Sequence, residues 1–103
     1  MQLVKHIYDL TRSFPKEELF GLTQQMRRAA VSIPSNLAEG AARNGAKEYL
    51  HFIGIARGSL AELDTQIQIA RLLGYCQNSE AITENLDRLG RLLTGLHKKW
   101  ITA

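Results

Sequence analysis

Glu48 and His51 stand at i and i+3, a spacing by which a helix presents a carboxylate and an imidazole to one metal ion. A carboxylate-bridged di-metal centre needs two such pairs and two more inward carboxylates. This chain has one pair, and His6, His51 and His97 fall on three different segments. No HxxxH, HExxH or CxxC spacing supplies a second ligand. Cys76 follows Tyr75 in a turn and has no cation adjacent in sequence to lower its pKa. Glu62 and Asp64 lie two residues apart, so a helix points them to different faces. The phosphate-cradling and nucleophile motifs GxxxxGK[ST], GxGxxG and GxSxG are absent. The sequence therefore predicts no catalytic centre, metal, cofactor or small-molecule substrate.

The basic side chains are more suggestive. Arg27 and Arg28 are adjacent, and Arg43 and Lys47 flank an Asn-Gly turn. Arg57 and Arg71 lie on the next segment, Arg88 and Arg91 on the last, and Lys98 and Lys99 near the end. Some have acids at favoured helical spacing: Glu84 with Arg88, and Asp87 with Arg91. These read as a solvated face. Lone arginines could anchor ion pairs at subunit interfaces, and some of the set suit phosphate on charge alone.

Four amphipathic segments must position these groups. Leu3, Ile7, Leu10 and Phe14 mark a short first helix, ended by Pro15. Pro15 also opens the second segment, about Lys16–Arg43, with Glu17 and Glu18 suited to the positive end of its dipole. Leu19, Leu22, Met26, Ala29 or Ala30, Ile33 and Leu37 form its buried stripe. The stripe keeps its phase across Pro34, which favours one kinked helix over a break capped by Ser32 or Ser35. Ser32 is then expected to bond local backbone where Pro34 removes a donor. Asn44-Gly45 turns the chain into a third helix, about Ala46–Leu73, carrying Tyr49, Phe52 with Ile53, Ala56, Leu60, Leu63, Ile67 and Ala70, with Gly74 as its C-terminal glycine. Asn78 or Ser79 caps a fourth helix reaching Ile101, with Ile82, Leu86, Leu89, Leu93, Leu96 and Trp100 inward. No strand-like alternation competes. The prediction is all-α: one domain over residues 1–103, an antiparallel, left-handed, up-and-down four-helix bundle.

Gly54, Gly58, Ala61 and Thr65 line one face of the third helix beside the core stripe. Helical glycine costs up to about 1 kcal/mol against alanine. Small residues at this spacing let another backbone approach, so the stripe reads as a subunit interface. Neutral surface positions, or room for Trp100, are the alternatives.

Composition agrees with a folded chain: 103 residues, 45% hydrophobic, two prolines. A single cysteine excludes an internal disulfide. The start "MQLVKHIYDL" carries charge too early for a signal peptide, and no apolar run approaches the roughly 18 residues of a membrane span. A cytoplasmic protein with no membrane contact is expected. The net charge of +3 is mild, but a symmetric oligomer would multiply it.

At "RRAAVSIPSNLAEGAAR" and "FIGIARGSLAELDTQIQIARLLGY" the chain resembles the 23S rRNA-intervening-sequence proteins, over nearly its whole length. These are small bacterial proteins, some encoded within insertions in large-subunit ribosomal RNA genes. The family is similar to the accessory variability protein of diversity-generating retroelements, which binds nucleic acid through a basic surface and partners a reverse transcriptase. The resemblance implies an up-down four-helix bundle assembled as a ring-like homopentamer. It maps onto Ser32, Ile33, Pro34, Ser35, Asn36, Ala38, Glu39, Gly40 and Arg43. In that light Asn36 and Glu39 offer hydrogen bonds near the kink, Gly40 permits close approach, and Arg43 meets a neighbour's carboxylate or a phosphate. Members usually have a longer first helix than one starting at Met1: either the start is truncated or the helix is shortened here, and an apolar groove partly uncovered is one expected result. The leading expectation is a non-enzymatic homo-oligomer binding RNA or a nucleoprotein through Arg27, Arg28, Arg43, Lys47 and Arg57. The alternative is an assembly scaffold whose arginines form intersubunit ion pairs.

Overall fold

The computed structural model describes residues 2–102. The expected helix start at Met1 lies outside them. Among the described residues there are four α-helices and no strand: α1 (Gln2–Thr11), α2 (Leu22–Ala42), α3 (Ala46–Leu72) and α4 (Glu80–Ile101). Their apolar faces meet in one cluster. It takes Leu3 and Ile7 from α1, Met26, Ala30 and Ile33 from α2, Ala56, Leu63 and Ile67 from α3, and Ile82, Leu89 and Leu93 from α4. Among the described residues no helix is long and apolar enough to cross a membrane.

The helices lie along a long axis. The molecule measures 45 × 25 × 19 Å with a radius of gyration of 14.5 Å, above the roughly 13 Å of a rounder domain this size. α3 alone, at 1.5 Å per residue, spans about 40 Å. α1 spans about 15 Å by the same measure. It packs on α2 and α4 and so flanks less than half of the long axis.

Two predicted boundaries are corrected. The first helix stops at Thr11. Phe14 follows it as a buried residue of the connection, its ring 5.5 Å from that of Tyr75. The second segment does not begin at Lys16. Lys16–Glu18 form a single 3-10 turn after Pro15, and the α-helix starts at Leu22. Gly21 sits at φ −112°, ψ −112°, away from helical geometry, and the Leu22 N–H donates to Glu18 Oε1 at 3.3 Å. Leu19 is therefore exposed and leaves the buried stripe.

Elsewhere the local signals hold. α2 runs unbroken through Pro34, which excludes the break. Gly74, at φ +78°, closes α3: its N–H donates to Arg71 O at 3.0 Å and the Tyr75 N–H to Ala70 O at 2.9 Å. Those two bonds are the Schellman pattern, and they satisfy carbonyls the helix end leaves free. Ser79 Oγ accepts from the Ile82 N–H at 3.3 Å and caps α4.

Candidate functional site

The α2 motif is a joint between helices. Asn36 Nδ2 donates to Ser32 O at 2.7 Å and to Ser32 Oγ at 2.8 Å. Ser32 Oγ is 2.8 Å from Ser59 Oγ on α3. The expected bond from the Ser32 hydroxyl to local backbone is thus replaced: the Asn36 amide takes the carbonyl, and the hydroxyl reaches across to α3. Gly40 is buried, and a Cβ built there would lie 2.8 Å from Phe52 Cβ and 2.9 Å from Tyr49 Cδ1. Only glycine lets α3 come this close. Pro34 is half-buried and Ser35 exposed.

Arg43 does not reach out. It donates to Glu39 Oε1 at 2.6 Å, and its guanidinium sits 5.4 Å from the Phe52 ring centre. The hydrogen bond to Glu39, with the attraction of the same carboxylate, raises its pKa further. Arg27 is also engaged. Its Nε donates to Thr11 Oγ1 at 2.8 Å and its guanidinium lies 4.7 Å over the Tyr8 ring, tying α2 to α1. Arg28 is exposed beside it, in an apolar groove of about 560 Å³ lined by Tyr8, Leu19, Phe20 and Val31. Lys47 is exposed just inside α3. The five predicted contacts therefore do not converge.

Arg57 belongs to a different place. A groove of about 780 Å³ runs between α3 and α4. Arg57 and Arg71 line it from α3, and Arg91 and Lys98 from α4, with Asp64 and Asp87 between them. Arg71 Nε is buried there without a hydrogen-bond partner. The ion pairs of the described residues are elsewhere: Arg12 with Asp9 at 3.1 Å, and Arg43 with Glu39. The Asp87–Arg91 and Glu84–Arg88 pairs suggested by spacing do not close within 4.0 Å. The sequence did carry a signal for the groove. Arg57, Asp64 and Arg71 recur every seven residues, and Asp87, Arg91 and Lys98 at four and seven. Only the register of α3 against α4 brings the two rows together. Leu60 lies under Gly90, whose added Cβ would be 3.7 Å from Leu60 Cδ2, and the Tyr49 and Trp100 rings meet at 4.9 Å.

Gly54 and Gly58 face open space: a Cβ at either would meet nothing within 4 Å. Trp100 packs edge-on against Tyr49, so the glycines do not make room for it. Ala61 borders the cationic groove, and the exposed Thr65 hydroxyl donates back to Ala61 O at 3.1 Å. Among the described residues no three His, Cys, Asp or Glu side chains gather around a metal-sized space. Cys76 is half-buried, and loss of solvent pushes its thiol pKa up, partly offset by nearby Arg71.

A family model described as 23S rRNA-intervening sequence protein matches residues 1–95. The chain belongs to that family. The match takes in the whole α2 motif, all of α3, and α4 as far as Gly95. Arg57, Arg71 and Arg91 fall inside the matched span and Lys98 beyond it. No curated protein matches the chain.

Proposed function

We propose that this family member is a non-enzymatic, homo-oligomeric, antiparallel up-and-down bundle that binds RNA or a nucleoprotein through its basic surface. The observation that carries the RNA reading is the groove between α3 and α4, where four cations face two carboxylates with no ion pair closed. Uncompensated positive charge in a concave surface favours polyanions. The antiparallel arrangement is supported by contacts that run in opposite chain directions. Ser32 meets Ser59 while Gly40 meets Phe52, and Leu60 meets Gly90 while Tyr49 meets Trp100. Self-association, with the pentamer that the family resemblance implies, is supported by apolar side chains left in solvent. Phe20 is 85% and Leu72 86% exposed. The same exposed patches favour the second reading, a scaffold for protein assembly with no nucleic-acid role. We take the protein to act in the cytoplasm, in keeping with its single cysteine.

Salt separates the two readings. Structured fragments of large-subunit ribosomal RNA are titrated by fluorescence anisotropy at low and near-physiological salt, with the protein's mass fixed by light scattering. Saturable binding that weakens with salt at constant mass is the expected result. No binding by a well-formed oligomer leaves the scaffold reading and removes the RNA one.

A further inference from the structure

Resting on the RNA reading, we propose that the groove between α3 and α4 holds the sugar-phosphate backbone of one unpaired strand, without regard to sequence. Three features of the groove carry this.

The first is its shape. Adjacent helices pack with axes about 8–10 Å apart. A furrow between them admits a single chain and excludes a duplex. Its floor is low where Gly90, Gly95 and Ala61 carry little or no side chain. The second is the charge row. Arg57 and Arg71 lie fourteen residues apart on one helix face, about 21 Å at 1.5 Å per residue. Arg91 and Lys98 face them from α4. The cations are thus strung along the furrow and match a linear polyanion better than a compact one. The third is what the lining lacks. It contains no aromatic ring on which a base could stack. Sequence-tolerant strand binders combine charge with stacking, and here only the charge is present. Asp64 and Asp87 in the same furrow weaken the hold on phosphate and keep it reversible.

The test uses full-length protein and a labelled oligouridylate, alone and annealed to oligoadenylate. Each neutralised phosphate of a single strand contributes about −0.7 to the slope of log K against log salt. Four contacts then give about −2.8, a loss of about 50-fold between 50 and 200 mM salt. Arg57→Ala/Arg91→Ala should shallow the slope by about 1.4, whereas Lys16→Ala, on the 3-10 turn outside the furrow, leaves it unchanged. Asp64→Asn/Asp87→Asn should tighten binding several-fold, a gain that misfolding cannot produce. Duplex bound as tightly as the strand overturns the proposal. So does displacement of the strand by millimolar inorganic phosphate at matched ionic strength, which would make the furrow a free-phosphate site. Wild-type binding that both double variants leave unchanged removes the furrow and keeps the RNA reading. If the wild type binds neither RNA, the RNA reading falls and the furrow with it.

Discussion

At Gly40 two effects of substitution oppose each other. An alanine there would gain up to about 1 kcal/mol of helix propensity. Its methyl would also sit 2.8 Å from Phe52 Cβ, an atom fixed close to the α3 backbone. Overpacking of this kind costs about 1–3 kcal/mol, so the clash wins. Gly40→Ala should lower the urea midpoint at unchanged m-value. Tyr75 offers a second residue-level test. Its hydroxyl donates to Glu18 Oε2 at 2.9 Å, fixing the connection before α2 against the end of α3. That bond, aided by loss of solvent, raises the phenol pKa above its ordinary 10.0. A pKa raised by folding means the folded state holds the proton more tightly. The contribution is therefore complete below pH 10 and is lost as pH rises through the folded value. Urea melts at pH 8 and 11 should show wild type losing more stability than Tyr75→Phe.

On α3 the exposed glycines separate two roles for one face. Nothing lies within 4 Å of a Cβ at Gly54 or Gly58. Gly54→Ala/Gly58→Ala should therefore stabilise an isolated chain by about 1–2 kcal/mol. If a second copy packs on this stripe, the added methyls hold it off and the mass by light scattering drops. A stabilised protein of unchanged mass would show the stripe to be plain surface. Helix ends were legible in the sequence because their causes are local: Gly74 supplies a positive φ, and Ser79 supplies an acceptor three residues before Ile82. The path of α2 through Pro34 was legible from the phase of Met26, Ala30 and Ile33, all fully buried. The start of α2 was not. Leu19 has the right type and phase, and its exposure follows from the geometry of Gly21 and the bond to Glu18, which no periodicity encodes. Buried Thr11 and Gln66 were also invisible as core residues, since each is held by a partner four residues back. The furrow cations were visible singly but not as a group. Arg57 and Lys98 are forty-one residues apart, and only helix register joins them.

For the molecule as a whole, most of the exposed large apolar side chains fall at two places, with Ile55, Leu92 and Ile101 apart from them. Tyr8, Leu19, Phe20 and Val31 flank the start of α2, and Ile69, Leu72 and Leu73 lie at the end of α3. If copies associate through the first patch, Phe20→Ser lowers the mass by light scattering, with little change in the helical circular-dichroism signal. A surface residue this exposed holds up nothing in its own chain, so a fall in mass reports on assembly alone.

The way α1 is held has a consequence for how the protein opens. Its described residues are fixed by the seating of Ile7 and Leu3, the Arg27–Thr11 bond, and the 2.8 Å bond between His6 and Asn85. α2 and α3 are long and interlocked through Gly40 and the Ser32–Ser59 bond. Deuterium should enter the α1 amides through a partial opening that leaves α2 and α3 protected, at denaturant concentrations far below the global midpoint. The molecule is then two tiers of one fold: a durable pair of long helices, and a first helix that can leave them and return.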